Sequence, residues 1–149
     1  MPSLPLSSVI RIEDPLQYKL HVARWNGHEQ PLDVYLRDKD EWFAWNEFGE
    51  EKDEFDREYI FSIIDVYHET DSWLFGGIFR VITRDPTPHA FSYVIEELPD
   101  YSELVGRLKI HMARPPRGRA YRLERLLPSM EVSEVLIEPY SGSDPTTNK

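Results

Sequence analysis

The residues best suited to chemistry in this sequence are the arginines of its C-terminal third. Residues 107–125 hold six arginines and one lysine against a single acid. Arginine contacts phosphates and base edges with two parallel N–H groups, whereas lysine offers a point charge. A basic strand beside an arginine-rich loop is typical of a surface that follows a nucleic-acid backbone. The candidate nucleic-acid contacts are Arg107, Lys109, Arg114, Arg117, Arg119 and Arg122.

A second segment carries the opposite charge. Residues 38–58 contain ten acids and three cations. Such a segment suits a basic protein partner. Its candidate contacts are Glu50, Glu51, Asp53 and Glu54. A plainer interpretation stays open for both segments: they are solvated faces, and the arginines pair with the chain's own acids, which a net charge of −10 supplies in excess.

One aromatic side chain joins the candidate nucleic-acid site. Trp73 follows the turn of residues 68–72, where an indole ring could line a pocket and stack on a base. Trp25, beside the Asn26-Gly27 turn, could also line a pocket and stack on a base. We expect the other large aromatic side chains to lie in the core.

The sequence contains no recognisable catalytic centre. Its five histidines are never four residues apart, and it has no cysteine, so we expect no catalytic residue, metal ligand set or cofactor. A metal site assembled from distant residues stays open at this stage. Gly76-Gly77 is followed by neither a lysine nor a helix, so it is not a phosphate-binding loop. The sequence therefore predicts recognition without chemical transformation.

The elements that position these residues are mostly strands. β-branched and aromatic runs predict strands over 18–25, 31–36, 59–67, 73–83, 91–98, 106–112 and 132–137. In the sixth of these, alternation turns Leu108 and Ile110 towards the core and Arg107 and Lys109 outwards. Gly76-Gly77 inside a strand predicts a bulge, a sharp bend at a barrel corner or the close approach of another backbone. Helices are expected at 38–48, started by an Asp38 cap, and briefly at 99–104 and 121–127.

Together these elements indicate a mainly β (α+β) fold. We expect a curved sheet or partly closed pseudobarrel, PUA-like in style, with one or two short helices. Parallel winding is not expected, because few connections are long enough for a crossover helix. The chain divides into an N-terminal arm (1–17), a single β-rich domain (18–140) and a loose polar tail (141–149).

Composition limits where such a protein acts. The chain has no apolar run of about 18 residues that would span a membrane. The first residues lack the basic and apolar regions of a signal peptide. Together with the absence of cysteine, these features predict a cytoplasmic, acidic protein that makes no membrane contact. The oligomeric state does not follow from the sequence.

Short motifs between residues 20 and 142 form a recognisable set. They are Pro31-Leu32-Asp33-Val34-Tyr35, Trp42, Trp45-Asn46-Glu47, Arg57-Glu58-Tyr59-Ile60-Phe61-Ser62, Trp73-Leu74-Phe75-Gly76-Gly77-Ile78-Phe79-Arg80-Val81, Gly106-Arg107-Leu108-Lys109, Glu131-Val132-Ser133-Glu134-Val135-Leu136 and Pro139-Tyr140-Ser141-Gly142. The set resembles the N-terminal accessory domain of bacterial GIY-YIG nuclease-family proteins, in which a Pro-Tyr-x-Gly segment joins this domain to the catalytic one.

The resemblance implies the accessory half of a nuclease, with a role in choosing or gripping the target. The paired tyrosines, arginine and metal-binding glutamate of a GIY-YIG centre have no matching positions in this chain. Any endonuclease activity would therefore need a catalytic domain that this chain does not contain. The strand pattern is also similar to the pseudobarrels of restriction-enzyme effector domains, some of which read modified DNA.

Two functional expectations follow. The first is a non-catalytic module that binds nucleic acid, with sequence-specific or modified DNA favoured. The alternative is a protein-interaction or nuclease-regulating module that docks a basic partner through its acidic face.

Overall fold

The computed structural model describes residues 3–25, 27–50, 57–86, 90–115 and 120–141. Its strands are β1 (Leu4–Pro5), β2 (Tyr18–Ala23), β3 (Phe48–Glu50), β4 (Tyr59–Asp65), β5 (Ser72–Pro86), β6 (Ala90–Glu97), β7 (Leu108–His111), β8 (Ala120–Arg122) and β9 (Glu131–Val135). Its α-helices are α1 (Pro31–Arg37), α2 (Lys39–Trp45) and α3 (Leu123–Leu126), and 3-10 turns lie at Leu6–Ser8, Pro15–Gln17, Pro99–Leu104 and Leu127–Ser129.

All of these strands belong to one strongly curled, open sheet. Its order is β1-β9-β7-β5-β4-β2-β8, and β6 pairs with the far half of β5 and with β3. The long strand β5 therefore holds two neighbours on one side, β7 near its start and β6 near its end. A curved, mainly β sheet with a few short helices is the architecture that the sequence predicts.

The crossover between β2 and β4 corrects two predictions. These strands are parallel, with Leu20 opposite Phe61, and α1 and α2 lie in the connection between them. Residues 31–36 were expected to form a strand, yet they form α1, which begins at Pro31. The two patterns overlap in so short a segment: Leu32, Val34 and Leu36 alternate as in a strand, while Leu32 and Leu36 are also one helical turn apart. Proline favours the first turn of a helix, where no backbone donor is needed.

The second helix follows the sequence pattern. The Asp38 side chain accepts a hydrogen bond from the backbone N–H of Asp40 and caps the helix. Trp42 is buried against the sheet. The capping aspartate and the spacing of the two tryptophans thus place α2 as predicted.

The two faces of the sheet carry separate apolar clusters. Phe61, Ile63, Trp73 and Phe75 fill the concave side, and Ile64 and Leu74 lie under α1 and α2 on the other face. The N-terminal segment contributes to the concave cluster, because Leu6 and Ile10 are fully buried there. Leu6 and Ile10, in the segment predicted as an arm, thus pack on the sheet.

The bulge predicted at the glycine pair is confirmed. Ser62 lies opposite Gly77 and Ile63 opposite Phe75, so Gly76 is the extra residue of β5. A Cβ atom on Gly76 would lie 2.6 Å from Trp42 Cζ2. The Trp42 indole N–H donates a 3.0 Å hydrogen bond to the Gly76 carbonyl. The glycine therefore lets α2 approach the sheet closely enough to bury this ring.

None of the described helices is both long and apolar enough to cross a membrane. The connection 51–56, the loop residues 87–89 and 116–119 and the tail from residue 142 lie outside the described residues.

Candidate binding pocket

Two cations of the predicted arginine surface pair with the chain's own acids. Arg114 donates two hydrogen bonds of 2.8 Å to the two carboxylate oxygens of Asp65, which is buried at the end of β4. Lys109 Nζ lies 2.7 Å from Glu69 Oε1. Both cations therefore meet a fixed carboxylate, which favours the interpretation that these side chains pair within the domain.

Of the remaining members of that surface, the structure describes Arg107 and Arg122, and it places Arg122 away from β7. Arg107, half-buried, donates to the carbonyl oxygens of Leu136 and Glu103, at 3.0 and 3.3 Å. Arg122 lies on β8, and three strands separate β8 from β7 in the sheet. The residues Arg117 and Arg119 lie outside the described residues.

Trp73 does not offer its ring to a ligand. Its side chain is fully buried in the concave cluster, and its indole N–H donates a 2.9 Å hydrogen bond to the Met112 carbonyl. The Arg114 guanidinium lies 5.1 Å from the centre of the ring. A base cannot stack on an indole that the core already covers, so the stacking role predicted for Trp73 does not fit. A turn beside a tryptophan does not reveal which way its ring points.

Most of the acidic residues predicted to contact a basic partner lie outside the described residues. Glu51, Asp53 and Glu54 are not among the described residues. Glu50 ends β3, opposite Ala90 of β6.

A pocket of about 290 Å³ opens beside the β5 bulge, and we call it the bulge pocket. It is lined by Tyr35, Lys39, Trp42, Phe43, Gly76, Phe79, Glu97, Ser102 and Val105. Helices α1 and α2, strands β5 and β6 and the turn at Pro99–Leu104 each supply part of the wall. The residues that meet here are distant in the sequence, and the curl of the sheet brings them together.

Three ionisable side chains of the bulge pocket have shifted pKa values. Burial lowers the pKa of Lys39 and raises the pKa of Glu97. The pKa of Tyr35 is raised by burial and then by the neighbouring Glu97 carboxylate. A pocket whose titratable groups are shifted by burial is a candidate functional site, because binding and catalysis use such groups.

The polar groups of the bulge pocket have few partners in the protein. The Lys39 ammonium donates to the Tyr35 carbonyl oxygen and lies 3.6 Å from the centre of the Tyr35 ring. Glu97 forms no hydrogen bond and no ion pair with any described residue, although its neighbour Glu96 pairs with Arg80 at 3.0 Å. The wall of the bulge pocket therefore contains one carboxylate and one ammonium, above an apolar floor of Trp42, Phe43 and Phe79.

A buried polar network holds the floor of this pocket in place. Asn46, just after α2, accepts a hydrogen bond from Ser62 and lies 2.7 Å from His21 Nδ1 through the same oxygen. Its amide N–H donates to the Trp42 carbonyl at 3.0 Å. Serine and histidine are residue types of catalytic centres, but Ser62 is fully buried, so the network positions α2 on the sheet instead of meeting a substrate.

Sequence reasoning missed the bulge pocket for two reasons. With α1 predicted as a strand, Tyr35 and Lys39 did not appear as neighbours, although they are four residues apart on adjoining helices. Glu97 follows Glu96 in an alternating strand, and alternation says only that one of the two faces each way. The pair of adjacent glutamates was the available signal, because burial shifts the pKa of the glutamate that faces inward.

A second cavity, of about 390 Å³, holds three tyrosines and several acids. Tyr18 and Tyr59 stack with their ring centres 4.9 Å apart, and the Tyr101 hydroxyl accepts a 2.9 Å hydrogen bond from the Arg11 backbone N–H. Burial raises the pKa of Tyr18, and the neighbouring Tyr59, Tyr101, Glu13 and Glu58 raise it further. We call this the tyrosine cavity. Arg11 also lines the cavity and pairs with Glu13 at 3.1 Å, so a cationic ligand would meet the ring faces together with Asp14 and Asp100.

A third, apolar groove of about 690 Å³ runs along the outer edge of β9, where Leu4, Val135 and Ile137 are exposed. Among the described residues, no group of three or more His, Asp or Glu side chains converges on a point where a metal ion would bind. Comparisons with protein-family models, curated proteins and solved structures find no match to this chain.

Proposed function

We propose that this chain is a non-catalytic recognition module that binds nucleic acid by taking one unpaired base into the bulge pocket. The observation that carries the proposal is the pocket itself: an apolar aromatic floor with an ammonium and with a carboxylate that has no partner among the described residues. Its volume lies at the small end of ligand sites, roughly 300 Å³, which suits a single planar ring system. Bases that are out of a duplex are recognised by such apolar pockets with a few polar groups.

The charge distribution supports recognition of a base over recognition of the backbone. The chain carries a net charge of −10, and two of the six predicted phosphate contacts are held by Asp65 and Glu69. Because these two cations already pair within the domain, phosphate contacts contribute less affinity than the six predicted cations together would. Arg107 is the described cation closest in sequence to the pocket wall at Val105. We therefore expect single strands to bind more tightly than duplexes.

The association with a GIY-YIG-type nuclease, and with restriction, is a proposal that rests on the motif resemblance alone. Under it, this module would deliver a catalytic domain to DNA, and the chain by itself would bind without cleaving. The absence of cysteine favours a cytoplasmic setting for such a module.

The test is binding of labelled 12-nucleotide DNA and RNA strands and of the matching duplex, followed by fluorescence anisotropy. Lys39→Met and Glu97→Gln remove the charges of the rim, and Glu96→Gln is the matched control one residue away, on the exposed Arg80 pair. We expect saturable binding of a single strand, weakened about tenfold by either rim variant and unchanged in the control. Single strands that fail to bind at low salt, or that bind all four proteins equally, would remove the proposal.

A specific observation favours a second candidate function, docking of a basic protein partner. The tyrosine cavity combines three aromatic rings with Glu13, Asp14 and Asp100, and the pKa of Tyr18 is raised first by burial and then by its neighbours, Glu13 among them. An arginine or lysine side chain would gain both ion pairing and contact with ring faces there. The test is titration of an arginine-rich peptide into the wild type and into a Glu13→Gln, Asp100→Asn double variant. Equal affinity for both proteins would exclude the cavity as the docking site.

A further inference from the structure

We infer that the bulge pocket selects a base whose edge carries two adjacent N–H donors beside a carbonyl oxygen, which among the common bases is guanine. This inference rests on the proposed function and names the ligand of the same pocket. Glu97 would accept the two N–H groups, and Lys39 would donate to the carbonyl. Free guanine nucleotides carry the same edge. A base in a nucleic-acid strand and a free nucleotide would therefore both fit the pocket, and experiment can separate them.

Glu97 is the residue that gives the selectivity. An ionised carboxylate is an acceptor only, and its two oxygens match two parallel N–H donors. The Watson–Crick edge of guanine offers N1–H and N2–H side by side. Adenine and cytosine offer one exocyclic amino group beside a ring acceptor, and thymine and uracil offer one N–H between two carbonyls. Each of these bases would place an acceptor against a carboxylate oxygen, which is repulsive.

Lys39 supplies the complementary donor. Its ammonium has three N–H groups, one of which is bound to the Tyr35 carbonyl oxygen. The contact with the Tyr35 ring, 3.6 Å from its centre, fixes the ammonium at the rim and leaves donors for a ligand oxygen. A guanine O6 atom next to N1–H would meet this donor while the N–H groups face Glu97. Neither side chain has to leave a protein partner to do so.

The floor of the pocket is built to stay in place while a ligand enters. Trp42 is held by its hydrogen bond to the Gly76 carbonyl, and Phe43 packs edge-on against Phe79 with ring centres 5.5 Å apart. Both Trp42 and Phe79 are almost fully buried by the protein itself, so they support the half-buried Phe43, which is the floor ring that a ligand would contact. A preformed apolar floor lowers the cost of binding a planar ring.

The charged surroundings of Glu97 predict the pH dependence. Lys39 faces it from α2 and Tyr35 from α1, and the Arg80–Glu96 pair occupies the neighbouring positions of β5 and β6. Since burial raises the pKa of Glu97 above its usual 4.5, guanine binding should weaken as the pH falls through that raised pKa. A protonated carboxyl keeps one acceptor fewer for the two N–H groups.

The deciding experiment compares guanine with hypoxanthine, which lacks only the N2 amino group. Tryptophan fluorescence titrations would use guanosine and inosine monophosphates, and anisotropy would use 12-mers of matched sequence with one central deoxyguanosine or deoxyinosine. We expect about tenfold tighter binding of guanine in both formats. Glu97→Gln should abolish this preference, and Glu96→Gln should keep it.

The outcomes separate the inference from the proposed function. If single strands bind the wild type through the pocket but guanine and hypoxanthine bind equally, the inference is overturned and nucleic-acid binding stands. If guanosine monophosphate binds with the expected preference and strands bind no tighter than the nucleotide, the edge selectivity stands and the source is a free nucleotide. If neither binds, both proposals fail.

Discussion

The pairing of Arg114 with Asp65 makes the sharpest prediction about stability. Arg114 was expected to contact nucleic acid, yet its guanidinium binds both carboxylate oxygens of Asp65 at 2.8 Å. The perturbation is Arg114→Met, which keeps a long unbranched side chain above Trp73 but removes the charge and both hydrogen bonds. Asp65 then remains as a buried carboxylate without its cation.

The magnitude follows from the burial of the two partners. Removing one member of a fully buried pair costs about 3–5 kcal/mol. The Arg114 side chain is 41% exposed while that of Asp65 is 6% exposed, so water reaches one side of the pair and the cost falls. We expect the free energy of unfolding to drop by about 2 kcal/mol. With a urea dependence of about 2 kcal/mol per molar, the midpoint would fall by about 1 M.

The assay is urea unfolding followed by circular dichroism, with Arg125→Met as the matched control because Arg125 is exposed on α3. Adding Asp65→Asn to Arg114→Met should recover part of the loss, since the buried charge is then removed. DNA affinity of the Arg114→Met protein, measured where it is folded, should stay within a factor of about two. If Arg114→Met and Arg125→Met unfold at the same urea concentration, the pairing argument is refuted. If the Arg114→Met protein loses DNA affinity tenfold, Arg114 contacts nucleic acid.

Two further predictions concern the bulge pocket without a ligand. Glu97→Gln should raise the free energy of unfolding at pH 7 by up to about 0.5 kcal/mol, a small gain because the side chain is partly exposed. The sign follows because a raised pKa means that the folded state disfavours the charged carboxylate. The gain should therefore shrink as the pH falls through the pKa of Glu97. A variant less stable than the wild type would contradict this prediction. Gly76→Ala should lower the free energy of unfolding by about 1–3 kcal/mol, because the new methyl group would meet Trp42 at 2.6 Å. Gly27→Ala, at a positive φ with nothing within 4 Å of its Cβ, measures the backbone strain alone and should cost less, so equal losses would remove the close-approach argument.

The strands of the core could be predicted because their composition leaves little choice. The runs that became β4, β5 and β7 are β-branched, aromatic or strictly alternating, and each matches a strand to within a few residues. The helix α1 could not be predicted, because six residues carry too few periods to separate alternation from helical spacing. Its misassignment also hid the parallel crossover, since a strand at 31–36 left no helix between β2 and β4.

The candidate site was harder to predict because it depends on partners far along the chain. Asp65 lies 49 residues from Arg114 and Glu69 lies 40 residues from Lys109, so no local pattern shows that these cations are neutralised. Charge counts gave the excess of acids but not their positions. The bulge at Gly76 was predicted from the glycine pair, whereas the aromatic ring that fills the space beside it comes from a helix 34 residues earlier.

The measurement that tests the central claim most directly is the salt dependence of single-strand binding for the wild type and Glu97→Gln. Six phosphate contacts would give a slope of log affinity against log salt of about −4, at about 0.7 per contact. With Lys109 and Arg114 held by carboxylates, at most four of the predicted cations remain, so the account expects a slope no steeper than about −3. It also expects a loss of about tenfold in Glu97→Gln at every salt concentration. A slope near −4 with no effect of Glu97 would instead assign binding to the arginine surface and contradict the bulge pocket as the site of recognition.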